Sequence, residues 1–208
     1  MPHRYAELMF TAAVQARQEH YGARHDMARY EADNAGFDRL GSSEAAFIAS
    51  RDSFYQATVS ETGWPYVQHR GGPPGFLKVL DAKRLAYADF RGNRQYISAG
   101  NLSVNDRVAL FLVDYQHRRR LKILGRLQSS EVADADPALV AALRPYPYRA
   151  AMERIAVITV EAFDWNCSQH ITPRYTEAQV HATVAPLLAR IEALQAEVTA
   201  LQAAARER

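Results

Sequence analysis

The feature that most constrains the fold is a series of short β-type segments joined by short, turn-like connections. Residues 54–60 (FYQATVS) alternate apolar and polar side chains, which is typical of a half-buried strand. Connections such as 81–83 and 116–119 suit antiparallel neighbours, and few connections leave room for a crossover helix. The pattern predicts a mainly β (α+β) chain, an antiparallel barrel with helical insertions. The predicted strands are residues 54–60, 65–70, 76–80, 84–90, 107–115, 121–128 and 154–163.

Helical segments are predicted at both ends of the chain and between the strands. Residues 1–40 are predicted as an N-terminal helix reaching about His20 and then a polar, aperiodic arm; residues 41–175 are predicted as the barrel domain. Within that domain we expect helices across 96–102 and from Asp136-Pro137, because Asp caps a helix and Pro suits its first turn.

The last segment, residues 176–208, is predicted as one helix opened by a capping box of Thr176 and Gln179. Its apolar residues alternate spacings of three and four over nearly three heptads. β-Branched residues at position a and Leu at position d favour a parallel two-stranded coiled coil. The alternative is that this helix packs on its own domain. The seam consists of Val184, Leu187, Ile191, Leu194, Val198 and Leu201.

Composition narrows the function classes. The 208 residues include 25 Lys and Arg against 23 Asp and Glu, so the net charge of +2 predicts neither nucleic acid nor an anionic membrane as a partner. The basic run HRRRLK is confined to one predicted hairpin, and the scattered histidines predict no metal site. With Cys167 as its one cysteine, no apolar membrane span and no signal peptide, the chain is expected to be cytoplasmic.

A candidate anion site lies in YADFRGNRQYISAGNL, where a strand, a glycine-containing loop and a helix start follow one another. Arg94, with Arg91 nearby, can combine its guanidinium with the unpaired amides of the helix start to hold a phosphate. Ser98 and Asn101 follow four and seven residues later, so on a helix they share one face with Arg94. The alternative is a charged loop and a polar helix face exposed to solvent.

Two further segments offer contacts for a flat ligand. In QHRGGPPGF, Arg70 ends a strand, and Gly71 with two later glycines leaves main chain uncovered. In DWNCSQHITPRYT, Trp165 can stack on a ring while Gln169 and Arg174 contact its polar edge. The alternatives are a plain hairpin loop for the first segment, and a core tryptophan with a surface arginine for the second.

Together these three segments resemble the pyridoxamine 5'-phosphate oxidase-related family of FMN-binding split barrels. The similarity covers roughly residues 47–174 and is most specific in RGNRQYISAGNL, the following NDRVALF strand and WNCSQHI. The resemblance implies a six-stranded antiparallel Greek-key split barrel with peripheral helices. It also implies a homodimer that binds FMN at the subunit interface with residues from both chains.

The resemblance further implies which residues contact FMN. Arg70 and Arg120 correspond to contacts of the flavin ring, and Arg94 with Gln95 to the pair that holds the phosphate. Asp89 stands where a hydroxyl residue is frequent and Gln95 where lysine is frequent, so phosphate binding is expected to depend more on Arg94 and Arg91. The implied cofactor residues are Arg70, Gly71, Ala88, Asp89, Arg91, Asn93, Arg94, Gln95, Ser98, Asn101, Arg120, Trp165, Gln169 and Arg174.

The function implied by the resemblance is that of an FMN-dependent oxidoreductase acting on an unidentified small molecule. In that reading Arg70 or Arg120 would stabilise the negative charge of the reduced flavin. The true oxidase holds its substrate phosphate with a lysine, for which this chain has the loop Gly72–Gly75, and with an Arg-x-His pair, for which Arg174 is followed by Tyr-Thr. Pyridoxamine phosphate is therefore not the expected substrate. The alternatives are a non-catalytic flavin or haem binding protein of the same fold, or an F420-dependent reductase.

Overall fold

The computed structural model describes residues 3–32, 37–145 and 147–206, and its central feature is a single antiparallel sheet. The strands lie in the order β2-β1-β5-β6-β7-β4-β3, and every predicted strand is present. The mainly β fold class is confirmed, and the sheet counts seven strands because the short edge strand β3 pairs with β4. The strands are β1 Ser53–Val59, β2 Pro65–Gly71, β3 Lys78–Asp81, β4 Arg84–Phe90, β5 Arg107–Asp114, β6 Arg119–Glu131 and β7 Met152–Asn166.

The sheet curls around its main core. Phe54 of β1 and Tyr87 of β4 are separated by three strands in the sheet order, yet their ring centroids lie 5.4 Å apart. The Tyr87 hydroxyl also donates a hydrogen bond to Gln56 Oε1 of β1 at 2.7 Å. Along β5 every second side chain is buried, and Val108, Leu110 and Leu112 belong to the same cluster, which is the alternation expected of a strand with one face inward. Ile158 of β7, two strands away from β5 in the sheet order, belongs to the same core.

Seven helices lie in the described ranges, and the N-terminal ones differ from the prediction. One helix to His20 was expected, but Thr11 caps a second helix, and the predicted arm contains a third. That third helix lacks an apolar stripe, so its sequence gave no helical signal; Arg24 anchors it by hydrogen bonds to Glu31 (2.9 and 2.5 Å) and Gln18 (2.8 Å). The helices are α1 Arg4–Met9, α2 Ala12–His20, α3 Arg24–Ala32, α4 Ser42–Ala49, α5 Ile97–Val104, α6 Pro137–Leu143 and α7 Glu177–Arg206.

The two predicted helix caps are confirmed. The Asp136 carboxylate accepts a hydrogen bond from the Ala138 amide at 2.9 Å and opens α6. At the start of α7, the Thr176 amide donates to Gln179 Oε1 at 2.8 Å and the Gln179 amide donates back to the Thr176 hydroxyl at 3.3 Å. Both caps satisfy amides that have no partner inside their helix.

The chain forms two compact units. The first contains the sheet and α1–α6 and ends at Ser168. The second contains residues 115–118 and the chain from Gln169 onward, chiefly α7, and within it the Gln179 side chain donates to Gln116 Oε1 at 2.5 Å. No helix in the described ranges is both long enough and apolar enough to cross a membrane.

Candidate functional site

The centre of the candidate site is a buried carboxylate held between two arginines. The sheet register places Asp89 of β4 directly opposite Arg154 of β7. Arg154 donates to Asp89 Oδ2 through Nη2 at 2.7 Å and Nε at 3.2 Å, and Arg70, near the end of β2, donates through Nη1 to Oδ1. Their side chains are only 8% (Asp89), 12% (Arg70) and 16% (Arg154) exposed. The cluster therefore fixes two guanidinium groups and leaves one net positive charge.

The electrostatics keep Arg154 charged despite its burial. Burial lowers the pKa of Arg154, but the hydrogen bond and the negative charge of Asp89 outweigh that effect and raise the pKa above its ordinary value. Arg70 Nε is buried and has no hydrogen-bond partner among the described residues. A buried donor without an acceptor costs roughly 1–3 kcal/mol, so this N–H is suited to an acceptor supplied by a ligand.

A small cavity of about 40 Å³ opens beside this cluster, under the loop between β4 and α5. Arg94 and Tyr96 in that loop adopt left-handed backbone conformations, with φ of 64° and 54°. Such conformations cost side-chain-bearing residues roughly 1 kcal/mol or more each and concentrate at ligand sites. The loop thus brings a third guanidinium, that of Arg94, to the cavity wall.

A second carboxylate, Glu153, lines the same cavity. Its Oε1 accepts hydrogen bonds from Arg91 Nε at 2.8 Å and from the Tyr96 hydroxyl at 3.3 Å. The hydrogen bond from Arg91 is the main cause that lowers the pKa of Glu153, so this carboxylate is ionised at neutral pH. Arg154 also lies over the ring of Tyr96, with its Cζ 5.2 Å from the ring centroid. Arg91 was predicted to bind a phosphate, but in the structure it is already paired with the carboxylate of Glu153.

The structure brings five of the sequence-predicted residues to the cavity but corrects the way they were grouped. Arg70, Asp89, Asn93, Arg94 and Ser98 all line it. The expected helical face shared by Arg94, Ser98 and Asn101 does not exist, because α5 begins only at Ile97. The Ser98 hydroxyl donates to Gln68 Oε1 of β2 at 2.8 Å, and the buried Asn101 amide donates to Thr58 Oγ1 of β1 at 2.9 Å. These bonds hold α5 on the sheet.

The other residues of the predicted phosphate segment have local roles. Gln95 is exposed, and its backbone N–H donates to Asn93 Oδ1 at 3.2 Å, which shapes the turn. The Ala88 side chain lies on the face of β4 opposite Tyr87 and Asp89, where it packs in a second core cluster with Leu143 of α6. Ala88 therefore supports the strand from behind.

The glycines after Arg70 leave less main chain uncovered than predicted, since Gly71 and Gly72 are half-buried and Gly75 is buried. A Cβ on Gly71 would lie 3.0 Å from His69 Cε1, and a Cβ on Gly72 would lie 2.7 Å from Phe76 Cγ. Gly75 has a φ of +75°, and a Cβ there would lie 2.9 Å from the carbonyl oxygen of Ala49. The loop is rich in glycine because it packs closely against its own domain.

Arg120 and Trp165 lie apart from the cavity within the first unit. Arg120 alternates with the core residue Leu121, so it lies on the outer face of β6, and its Nε is buried without a partner in the described ranges. Trp165 packs against α4: its Nε1 donates to Glu44 Oε1 at 2.7 Å and its ring lies edge-on to Phe47 at 4.8 Å. These contacts agree with the alternative interpretation, in which Trp165 is a core tryptophan.

Gln169 and Arg174 belong to the second unit. There the Arg174 guanidinium lies over the ring of Tyr115, 4.9 Å from its centroid. Their contact with a cofactor stays a prediction.

Sequence reasoning missed Arg154, Glu153 and Tyr96 as site residues. The sequence did contain a signal for Arg154, because alternation along β7 places it on the same inward face as the buried residues Ala156 and Ile158. A charged residue on an inward face needs a buried counter-charge. Only the strand pairing shows that Asp89 provides it.

Comparison with known proteins assigns the family. A sequence model described as "Pyridoxamine 5'-phosphate oxidase" matches residues 42–166. The chain belongs to the pyridoxamine 5'-phosphate oxidase family. The match spans more than half of the 208 residues, runs from the start of α4 to the end of β7, and includes Arg70, Asp89 and Arg154. Helix α7 lies outside it.

Several solved structures resemble this pyridoxamine 5'-phosphate oxidase family member. HupZ of Group A Streptococcus is 15% identical, with 65% of this chain and 100% of that chain covered and a TM-score of 0.50. A putative pyridoxamine 5'-phosphate oxidase of Lactobacillus delbrueckii is 19% identical, with 62% and 97% covered and a TM-score of 0.48. An FMN-binding protein of Syntrophomonas wolfei is 9% identical, with 75% and 98% covered and a TM-score of 0.46. The likeness to HupZ shows the split-barrel fold. No curated protein matches the chain.

Proposed function

We propose that this protein binds FMN as a homodimer and is an oxidoreductase acting on a small organic molecule. The observation that carries the proposal is the buried Arg70–Asp89–Arg154 cluster beside Arg94, inside the segment that matches the family. In the described lining of the cavity, three guanidinium groups face two carboxylates. This net positive charge suits an anion.

The size of the cavity supports a phosphate. A volume of about 40 Å³ holds roughly three water-sized groups, since one water needs about 10–15 Å³ by this measure. A phosphate group fits that description and a flavin ring does not, because pockets for ring-sized ligands have volumes of roughly 300 Å³ or more. The ring of a bound FMN would therefore lie outside the cavity.

A second copy of the chain would cover such a ring. The outer face of the sheet carries exposed apolar side chains, including Val67 of β2 and Trp64 in the turn before it. A groove of about 220 Å³ runs over the same face and is lined by Tyr55, Val67 and Phe111. Contiguous apolar surface of this kind favours a protein interface. Arg120 on this face would then reach the cofactor of the other copy.

The residues of the chain have distinct tasks in this proposal. Arg94 would hold the phosphate, and Asp89 would keep Arg70 and Arg154 in place through hydrogen bonds to both carboxylate oxygens. The guanidinium groups of Arg70 and Arg120 would supply positive charge near the polar edge of the ring. Bound FMN supplies the electron transfer itself.

The test is a titration of purified protein with FMN and with riboflavin, which lacks the phosphate, for the wild type, Arg94→Gln and the control Arg17→Gln on α2. We expect one FMN per chain, weaker riboflavin, and a loss of FMN affinity of roughly 10–100-fold in Arg94→Gln alone, the scale of a charged hydrogen bond. The dimer is checked by sedimentation.

Failure of the wild type to bind FMN overturns the proposal. Binding of F420 or haemin in its place would instead support one of the alternatives. Reduction of the bound chromophore by NADH or NADPH, followed by reoxidation with a second substrate, distinguishes an oxidoreductase from a non-catalytic carrier. No turnover with any reductant would leave the carrier function as the correct one.

A further inference from the structure

Glu153 is an anion located inside a site that is built for anions. It sits at the start of β7 beside Arg154, with Glu153 Oε2 3.7 Å from Arg154 Nη1. Its side chain is 13% exposed and lines the cavity. A phosphate entering the cavity would meet repulsion from this carboxylate and would compete with it for Arg91.

The two carboxylates of the site are held very differently. Asp89 is bound by Arg70 and Arg154, both on strands, and both of its oxygens are used. Glu153 accepts hydrogen bonds from Arg91, which is 62% exposed and lies in the loop after β4, and from the Tyr96 hydroxyl at 3.3 Å; Arg154 is a more distant partner at 3.7 Å. Exposed ion pairs contribute little to stability, and a loop residue can turn away at low cost. The Arg91–Glu153 pair is therefore the one that can exchange partners.

We infer that Glu153 is an internal counter-anion that Arg91 exchanges for the phosphate of the ligand, and that Glu153 thereby determines how strongly the site prefers phosphorylated ligands. The inference rests on the proposed function, since it concerns the same cavity. It predicts that removing the charge of Glu153 tightens the binding of a phosphorylated flavin and leaves its unphosphorylated counterpart unaffected. A residue with a purely structural role would not separate the two ligands.

The matched pair of variants is Glu153→Gln and Glu161→Gln. Both glutamates lie on β7 and both pair with arginine, Glu161 with Arg126 at 3.1 Å, but only Glu153 lines the phosphate cavity. Glutamine keeps the size of the side chain and an acceptor for Arg91 while it removes the charge. Far-ultraviolet circular dichroism and thermal unfolding establish that both variants are folded.

The experiment is a titration of wild type and both variants with FMN and with riboflavin at low salt. We expect Glu153→Gln to bind FMN about ten-fold more tightly than the wild type, because the phosphate no longer displaces a charged carboxylate from Arg91, with riboflavin within two-fold and Glu161→Gln unchanged. Unchanged or weaker FMN binding by Glu153→Gln, with a wild type that binds FMN, would overturn the inference and leave the proposed function intact.

Two further measurements separate the remaining cases. In Arg91→Gln the tightening caused by Glu153→Gln should be largely lost, because the exchange requires Arg91. A full ten-fold effect without Arg91 contradicts the exchange. If the wild type binds no flavin at all, titration with inorganic phosphate followed by ³¹P NMR still decides the matter: tighter binding by Glu153→Gln than by the wild type supports the inference, and equal binding refutes it.

Discussion

Asp89 of β4 and Arg154 of β7 face each other across the sheet, and Arg154 donates two hydrogen bonds to one carboxylate oxygen of Asp89, at 2.7 and 3.2 Å. Arg70 donates to the other oxygen from the opposite edge of the sheet, where β2 ends. One buried carboxylate therefore ties β2 to β4 and β7 at the mouth of the cavity. The relationship links the stability of the barrel to the geometry of the site.

We expect Asp89→Asn to lower the free energy of unfolding by about 3 kcal/mol, because it leaves two buried guanidinium groups without a counter-charge. Urea denaturation measures this. The control is Asp81→Asn, whose partner Arg84 is exposed, and its midpoint should stay close to that of the wild type. A loss below about 1 kcal/mol in Asp89→Asn would show that water or relaxation compensates for the missing charge.

The strands were predictable from sequence and the buried cluster was not. The strands carry local signals, such as the alternation of side chains along β5. The pairing of Asp89 with Arg154 joins residues 65 positions apart and depends on the register of two strands. From sequence alone, Asp89 departed from the family pattern and lowered the positive charge of the site. In the structure, Arg154 pairs with Asp89 and restores that positive charge.

The helices show the same division between local and tertiary signals. Asp136 and Thr176 open helices through bonds to amides two or three residues away, and both were predicted. Helix α3 lacks a local signal and is anchored by Arg24, which bonds to the preceding helix through Gln18 and along α3 to Glu31. Arg94 was expected to share a helical face with Ser98 and Asn101, because its left-handed φ cannot be read from sequence.

The glycines offer a test in which two substitutions have opposite signs. Gly75→Ala should destabilise the protein by roughly 1–3 kcal/mol, because φ is +75° and the new Cβ would lie 2.9 Å from the Ala49 carbonyl oxygen. Gly100→Ala, in α5 with open space around it, should stabilise by about 0.5–1 kcal/mol. Thermal and urea unfolding of both variants check this. Two changes of the same sign would contradict the packing of the loop against α4.

The raised pKa of the buried Tyr87 predicts that the protein loses stability in alkaline solution. Burial is the largest cause that raises the pKa of Tyr87 to about 12, so the folded protein keeps this phenol protonated where the unfolded chain, with a pKa near 10, releases the proton. The stabilisation is complete below pH 10 and is lost as the pH rises from 10 through 12. The loss amounts to at most about 3 kcal/mol.

The measurement is the free energy of unfolding of wild type and Tyr87→Phe between pH 9 and 11.5. Tyr87→Phe should be less stable at pH 9, because it leaves the buried Gln56 oxygen without its 2.7 Å hydrogen bond. The difference between the two proteins should then shrink above pH 10. Parallel curves over the whole range would contradict the assignment of this titration to Tyr87.

The parallel coiled coil expected from the apolar seam of α7 stays a prediction, and one introduced cysteine can test it. Its six apolar residues are 39–64% exposed, from Val184 to Leu201. A helix with such a stripe gains stability by burying it against a partner. Val and Ile at position a with Leu at position d favour two parallel strands, and in that arrangement each residue of the seam meets its own counterpart in a second copy.

In a Cys167→Ser background, Leu201→Cys should form a disulfide-linked dimer under mild oxidation, because position 201 lies at d and faces position 201 of the second copy. Ala203→Cys is the control, since it lies two residues further on the same helix and faces away from the seam. An antiparallel pair would place position 201 near the opposite end of the other seam, and a helix that packs elsewhere would bring no two copies together. Either arrangement would leave Leu201→Cys as slow to cross-link as Ala203→Cys, and the parallel coiled coil would then be wrong.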